Sequence, residues 1–229
     1  MKPVQPTFSL CHATARVPFG WHDAYSKWIY EADAPQLCEY ILVVDAPQGT
    51  SINTNEPVYT AKIPGTSKVV YQHTHNGCVA PWNKAAKEST GKVLIMVQDD
   101  WFPCPHWDTE LLRVIPDVEG EYVVDPYVGA YPESRGLMSC GILTRKRYER
   151  FGYYHYPGYL SLYGDDEFTE VARRDGVVIP AKHLKMLHDH PIEGSRPFDK
   201  VYEQENACTA VELGAKLFAE RKSKGFPND

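Results

Sequence analysis

Two adjacent carboxylates, Asp99 and Asp100, close the apolar run VLIMV at 93–97, and Trp101 and Phe102 follow them. Like charges side by side oppose each other's ionisation, and the end of a buried strand is a costly place for them unless a cation neutralises them. Mg2+ and Mn2+ prefer oxygen ligands, and their sites combine one or two carboxylates with phosphate oxygens. One acid of the pair can bind such a metal while its neighbour meets a ribose or a metal-bound water. A second acidic group, Asp165, Asp166 and Glu167 in YGDDEF, opens a stretch that ends in Arg173-Arg174 before Gly176. That charge order suits a helix dipole, so N-terminal capping also accounts for it. The segment HLKMLHDHP holds His183, His188 and His190, and YQHTHN holds His73 and His75. Residues two apart in a strand share a face, so each HxH pair is a candidate metal ligand set.

The elements that must position these groups are readable from the pattern. PTFSLCHAT is β-prone and leads into ARVPFGWHDAYSKWIYEAD, whose apolar spacing is helical. LCEYILVVDAP is a nearly continuous apolar run, as in a strand buried on both faces of a parallel sheet. SKVVYQHTHNG reads as a third strand ending at Asn76-Gly77, VAPWNKAAKESTG as a helix capped by Gly91, and KVLIMVQDD as a fourth strand. Alternation of this kind implies a parallel sheet covered by helices. Further on, WDTELLRVI is a short helix, EYVVDPYVGAY and GLMSCGILTRKRYERFG supply one or two strands and a helix start, and YYHYPGYLSLYG is a loop. DDEFTEVARRDG is a helix, VVIPAKHLKMLHDHP a final strand, and the C-terminus a helix with a solvated tail. In open α/β sheets ligands bind beyond the carboxyl ends of strands. Thr14, Ala15 and Arg16, Asp45, and Asp99-Asp100 all fall at such ends. Asp45 could accept hydrogen bonds from a base or ribose, although an Asp in DAPQG also makes a turn.

The 229 residues suffice for one α/β domain with a substantial core. The net charge of -6 argues against a nucleic acid partner. Six cysteines at 11, 38, 78, 104, 140 and 208 form no CxxC pair, which fits buried reduced thiols in a cytoplasmic protein. The first residues, MKPVQPTFSL, do not read as a signal peptide, and no apolar run is long enough to span a membrane.

With these residues in order, the sequence resembles a nucleotide-sugar-dependent glycosyltransferase of the GT-A fold, near the inverting family 2, over roughly residues 7–191. The likeness is carried by ILVVDAP, by HNGCVAPWNKAAKESTGKVLIMVQDDWFP, by GILTRKRYERFG, by YGDDEFTEVARRDG and by MLHDHP. It implies a mostly parallel, Rossmann-like sheet flanked by helices in a single domain. Residues 1–100 would form the nucleotide-sugar half, 101–200 the acceptor and catalytic half, and 201–229 a C-terminal helix and tail. It implies that Asp45 contacts the base, that Asp99 faces the ribose or helps hold the metal, and that Asp100 ligates Mn2+ or Mg2+. Asp165 would be the general base, with Asp166 as the alternative one residue on. His188 or His190 would complete the metal site, with His188 favoured. The implied partners are a nucleotide-diphosphate sugar and a glycan or other hydroxyl acceptor. Trp101, Trp107, Tyr159 and Tyr163 could stack on a sugar, or simply pack in the core. Three other readings compete: a zinc hydrolase built on the HxH pairs, an inactive nucleotide- or glycan-binding relative, and a sugar nucleotidyltransferase. The last needs a Gly-rich N-terminal loop that SLCHATARVPFG does not supply.

Overall fold

A computed structural model describes residues 6–17, 20–46, 67–73, 77–194 and 196–228. Its centre is a seven-stranded sheet made by β1 (Phe8–Thr14), β2 (Cys38–Asp45), β3 (Ser67–Gln72), β4 (Val93–Val97), β6 (Val123–Tyr127), β7 (Ile142–Thr144) and β8 (Val178–Lys185). The spatial order is β3-β2-β1-β4-β7-β6-β8. Strands β3, β2, β1 and β4 run parallel, β7 is antiparallel to both of its neighbours, and β6 pairs parallel with β8. The sheet is thus mostly parallel. Strand β2 is buried along its whole length, as its continuous apolar run requires. Tyr40, Leu42 and Val44 join one core and Ile41 and Val43 the other, so alternate side chains feed opposite faces of the sheet.

The helices that matter most to the site are α1 (His22–Tyr30), α2 (Val79–Glu88) and α3 (Trp107–Val114). Helix α1 buries Ala24, Tyr25 and Trp28 at helical spacing, and it is shorter than the stretch 15–33 that the pattern suggested. Its Trp28 indole donates to the Trp101 carbonyl at 2.8 Å, and the Trp107 indole donates to the Trp28 carbonyl at 2.8 Å. In this way α1 fixes both the segment after β4 and α3. Helix α2 ends at Glu88 with Ser89 extended, so Gly91 is not its cap. Gly91 instead lies against β1, where an added Cβ would come within 2.5 Å of Ser9 Oγ and 2.8 Å of the Phe8 carbonyl carbon. The buried Glu39 carboxylate accepts from Gly91 N at 2.9 Å and Ser9 Oγ at 2.6 Å, and so fastens this turn below the sheet.

The second half adds α4 (Ala130–Arg135), α5 (Arg145–Phe151) and α6 (Gly164–Arg174). The expected single last strand is broken. The β6–β8 register shifts between Pro126 and Tyr127, so that Tyr127 faces Lys185, as at a bulge. Beyond Met186 the chain forms β9 (Leu187–His188), which pairs antiparallel with β5 (Trp101–Phe102) in a separate two-stranded sheet. The C-terminal region is also more than a solvated tail: α7 (Lys200–Glu205) and α8 (Cys208–Ser223) pack back on the domain. Trp101, Trp107 and Tyr159 are buried in the core rather than offered to a sugar. All six cysteines are free thiols, with Cys208 exposed. Among the described residues no helix is long and apolar enough to cross a membrane. Substituting Gly91→Ala should cost about 1–3 kcal/mol of stability in urea unfolding, because backbone atoms of β1 block the new methyl; an unchanged midpoint would contradict this placement.

Candidate active site

A cleft of about 590 Å3 opens at the carboxyl ends of β1, β2 and β4. Six of the residues singled out in the sequence line it: Thr14, Ala15 and Arg16 after β1, Asp45 at the end of β2, and Asp99 and Asp100 after β4. From the other half come Asp165, Asp166, His188 and His190, with Tyr163 beside them. His73 is drawn away, since its Nδ1 pairs with the Ala46 carbonyl at 2.7 Å. His75 and Asn76 lie outside the described residues.

The two acids that posed the initial question are held differently. Asp99 is wired into the protein. His12 Nε2 meets its Oδ1 at 2.9 Å, while Thr14 Oγ1 and Arg16 donate to its Oδ2 at 2.9 and 3.3 Å. In the neutral ring, donation from Nε2 leaves His12 Nδ1 to accept from the Tyr40 hydroxyl. Three of the roughly four acceptor positions of a carboxylate are therefore taken, leaving room for one further donor such as a ribose hydroxyl. Asp100 faces inward between two other partners. The Tyr202 hydroxyl donates to its Oδ2, and His188 Nε2 stands 3.5 Å from its Oδ1. Burial acts to raise the Asp100 pKa, but His188, Tyr202 and Arg16 together hold it well below the usual carboxylate range.

His188 reaches this position because β9 pairs with β5, with Trp101 opposite His188 and the Asp189 amide donating to the Asp100 carbonyl at 2.7 Å. Its Nε2 is buried and makes no hydrogen bond. An orphaned imidazole nitrogen facing a charged carboxylate across 3.5 Å suits a divalent cation with mixed nitrogen and oxygen ligands. No group of three or more His, Cys, Asp or Glu among the described residues could hold a metal. The remaining positions would therefore fall to water or a ligand. His190 is engaged otherwise: its Nδ1 accepts from the Ile192 amide at 3.2 Å, and its ring packs edge-on against Tyr202.

On the opposite wall, α6 begins after Tyr163, which adopts a left-handed conformation at φ 71°. Of the three acids in its first turn, Glu167 points into the protein, where it accepts from Tyr159 Oη at 2.9 Å and from Arg221 at 2.8 and 3.0 Å. Asp166 lies 3.6 Å from Arg135. Asp165 has no basic side chain within ion-pair distance, and burial, followed by repulsion from Asp166, pushes its pKa up to about 6. Carboxyls poised near neutrality are suited to proton transfer.

Sequence reasoning missed the C-terminal contribution. Asp199 caps α7 by accepting from the Val201 and Tyr202 amides, and it also pairs with Arg16 Nε at 2.7 Å. The Arg16 guanidinium in turn stacks 4.4 Å from the Tyr202 ring centre. Glu205 enters the same cleft. KVYEQE carries no apolar stripe that could have announced this docking. Gln98, the residue before the acid pair, places its amide Nε2 3.7 Å from Cys140 Sγ.

Known structures share this architecture. TarS of S. aureus superposes with a TM-score of 0.64 at 15% identity, over 94% of this chain and 43% of TarS. The chain thus spans less than half the length of that protein. The fold is GT-A. The mannosyltransferase PcManGT of Pyrobaculum calidifontis, solved with GDP-Man and Mn2+, matches with a TM-score of 0.60 at 13% identity, over 96% of this chain and 76% of its own. GalNAc-T7, solved with UDP, GalNAc and Mn2+, gives 0.62 at 13% identity, over 99% of this chain and 52% of its own. No protein-family model matches the sequence, and no curated protein matches it by sequence.

The raised Asp165 pKa within this GT-A cleft carries a stability cost with a definite sign. Between its ordinary value of 3.8 and about 6 the folded state holds a proton that the unfolded chain has lost. Stability therefore falls as pH rises through that window. Asp165→Asn should stabilise the protein by roughly 1–3 kcal/mol at pH 7–8. The gain should fade as pH drops towards 4, as read by thermal unfolding across pH. Destabilisation at every pH would contradict the assignment.

Proposed function

We propose that the chain is a glycosyltransferase that moves a sugar from a nucleotide-diphosphate sugar to an acceptor hydroxyl, with inversion at the anomeric carbon. The observation that carries the reading is the gathering of Asp100 with His188, and of Asp165, on one cleft at the carboxyl edge of a GT-A sheet. Nucleotide-sugar complexes of resembling structures, GDP-Man with PcManGT and UDP-GlcNAc with TarS, support the donor class. The zinc-hydrolase reading has less support, since His73 is hydrogen-bonded to backbone and no set of three zinc-type ligands occurs among the described residues.

Asp100 and His188 would hold Mn2+ or Mg2+, which when bound supplies charge neutralisation at the departing diphosphate. Arg16 offers its guanidinium fork to diphosphate oxygens, a geometry that suits phosphate as well as the Asp199 carboxylate it pairs with here. Asp99 orients Arg16 and Thr14 and keeps one acceptor position for the ribose. Asp45 accepts from the base at the far end of the cleft. Asp165 takes the proton of the acceptor hydroxyl while that oxygen attacks the anomeric carbon from the face opposite the diphosphate. A single displacement inverts the configuration. Asp166, 3.6 Å from Arg135, repels charge on Asp165, which raises the Asp165 pKa and so strengthens it as a base.

The test is turnover of a panel of UDP- and GDP-sugars with Mn2+, with the product configuration read by NMR. Inverted product is expected, and Asp165→Asn should lower kcat by about 10²–10⁴-fold. Because Asp165 acts in its ionised form, kcat/KM should rise with pH and level off above about 6. Retained configuration, or full turnover by the Asn variant, would refute the mechanism.

A further inference from the structure

Helix α7 is pinned over the cleft at its start by Asp199 and along its length by Tyr202, whose hydroxyl donates to Asp100. Glu205 follows Tyr202 by three residues, so it lies on the same helix face and lines the same cleft. It is half-buried, and it makes no hydrogen bond or ion pair with any described residue. This is an unusual state for a carboxylate with Asp99, Asp100 and Asp199 as charged neighbours and Arg16 as the opposing charge. Burial first, and those acids next, push its carboxyl up to about 7. A polar group kept in such surroundings without a partner costs free energy that a bound ligand can offset.

The position narrows the ligand. Glu205 lines the same cleft as Asp100 and Asp165. On the glycosyl-transfer reading, on which this step rests, that cleft holds the transferred sugar. Its anomeric carbon must lie between the diphosphate at Asp100 and the acceptor oxygen at Asp165. In its ionised form a carboxylate only accepts hydrogen bonds, so in that form ring hydroxyls are suitable partners and phosphate oxygens are not. Hydroxyl-to-carboxylate bonds are short and about twice as strong as neutral ones. A site built to bind a hydroxyl also discriminates strongly against a sugar that lacks it.

We infer that Glu205 is a specificity-determining residue that accepts hydrogen bonds from hydroxyls of the donor sugar. Two measurements on the full chain test this, with Glu205→Gln and Glu205→Ala beside the parent. Calorimetry with Mn2+ compares UDP and GDP with their sugar conjugates, and transfer kinetics compare the preferred donor with its singly deoxygenated analogues. UDP or GDP affinity should stay within threefold of the parent in both variants. Transfer kcat/KM should fall tenfold or more in the Ala variant, with partial recovery in Gln. One deoxy donor should cost the parent at least tenfold and cost the Ala variant almost nothing. An Ala variant that transfers like the parent, or that loses nucleoside diphosphate affinity in proportion, would overturn the assignment alone. A parent that binds neither UDP nor GDP with Mn2+ would overturn the glycosyl-transfer reading and this assignment with it.

Discussion

Trp101 and His188 face each other across a ladder only two residues long, and the proposed cation site depends on that ladder. The pairing places the His188 ring opposite Asp100, with the Asp189 amide on the Asp100 carbonyl. Two-residue ladders are weak by themselves, so this one is held from outside. The Trp28 indole donates to the Trp101 carbonyl from α1, and the Met186 and His188 amides donate to the Tyr127 and Val128 carbonyls at 2.8 and 3.0 Å. The aromatic packing of Trp28, Trp101 and Trp107 therefore supports the cleft although none of the three rings lines it.

Once that frame is set, environment sorts chemically identical groups. Asp99 is held by His12, Thr14 and Arg16, with one acceptor position left. Asp100, between His188 and Tyr202, stays ionised. Asp165 and Glu205 have no basic side chain within ion-pair distance, and both titrate nearer neutrality than an ordinary carboxylate. On the proposed reading, divergent environments of this kind separate the tasks of holding charge, moving a proton and recognising hydroxyls. They also place destabilising charge at one edge of the sheet, opposite the edge where Glu39 is fully satisfied by Ser9, Thr90 and Gly91.

The parallel half of the fold was legible because its signals are local. ILVVD and VLIMV are apolar runs that only a strand buried on both faces explains, and their terminal acids mark the carboxyl edge. The acid-to-base charge order of α6 was equally local. What escaped notice depended on contacts distant in sequence. The indole rings of Trp101 and Trp107, for which the sequence allowed either sugar stacking or core packing, pack in the core against Trp28. Gly91 looked like a helix cap but serves close approach to β1. Tyr202 and Glu205 stand in a short polar helix whose place over the cleft is set by Asp199 and Arg16, and no periodicity announces that contact.

The central claim is that Asp100 and His188 act as one cation site for the diphosphate. A double-mutant cycle on Mn2+-dependent UDP or GDP affinity tests it most directly, using Asp100→Ala, His188→Ala and the pair, with His190→Ala as a control. The account predicts that either single change removes most of the metal-dependent affinity and that the second adds little. It also predicts a parent-like response from His190→Ala. Fully additive losses, or a larger loss at His190 than at His188, would contradict it.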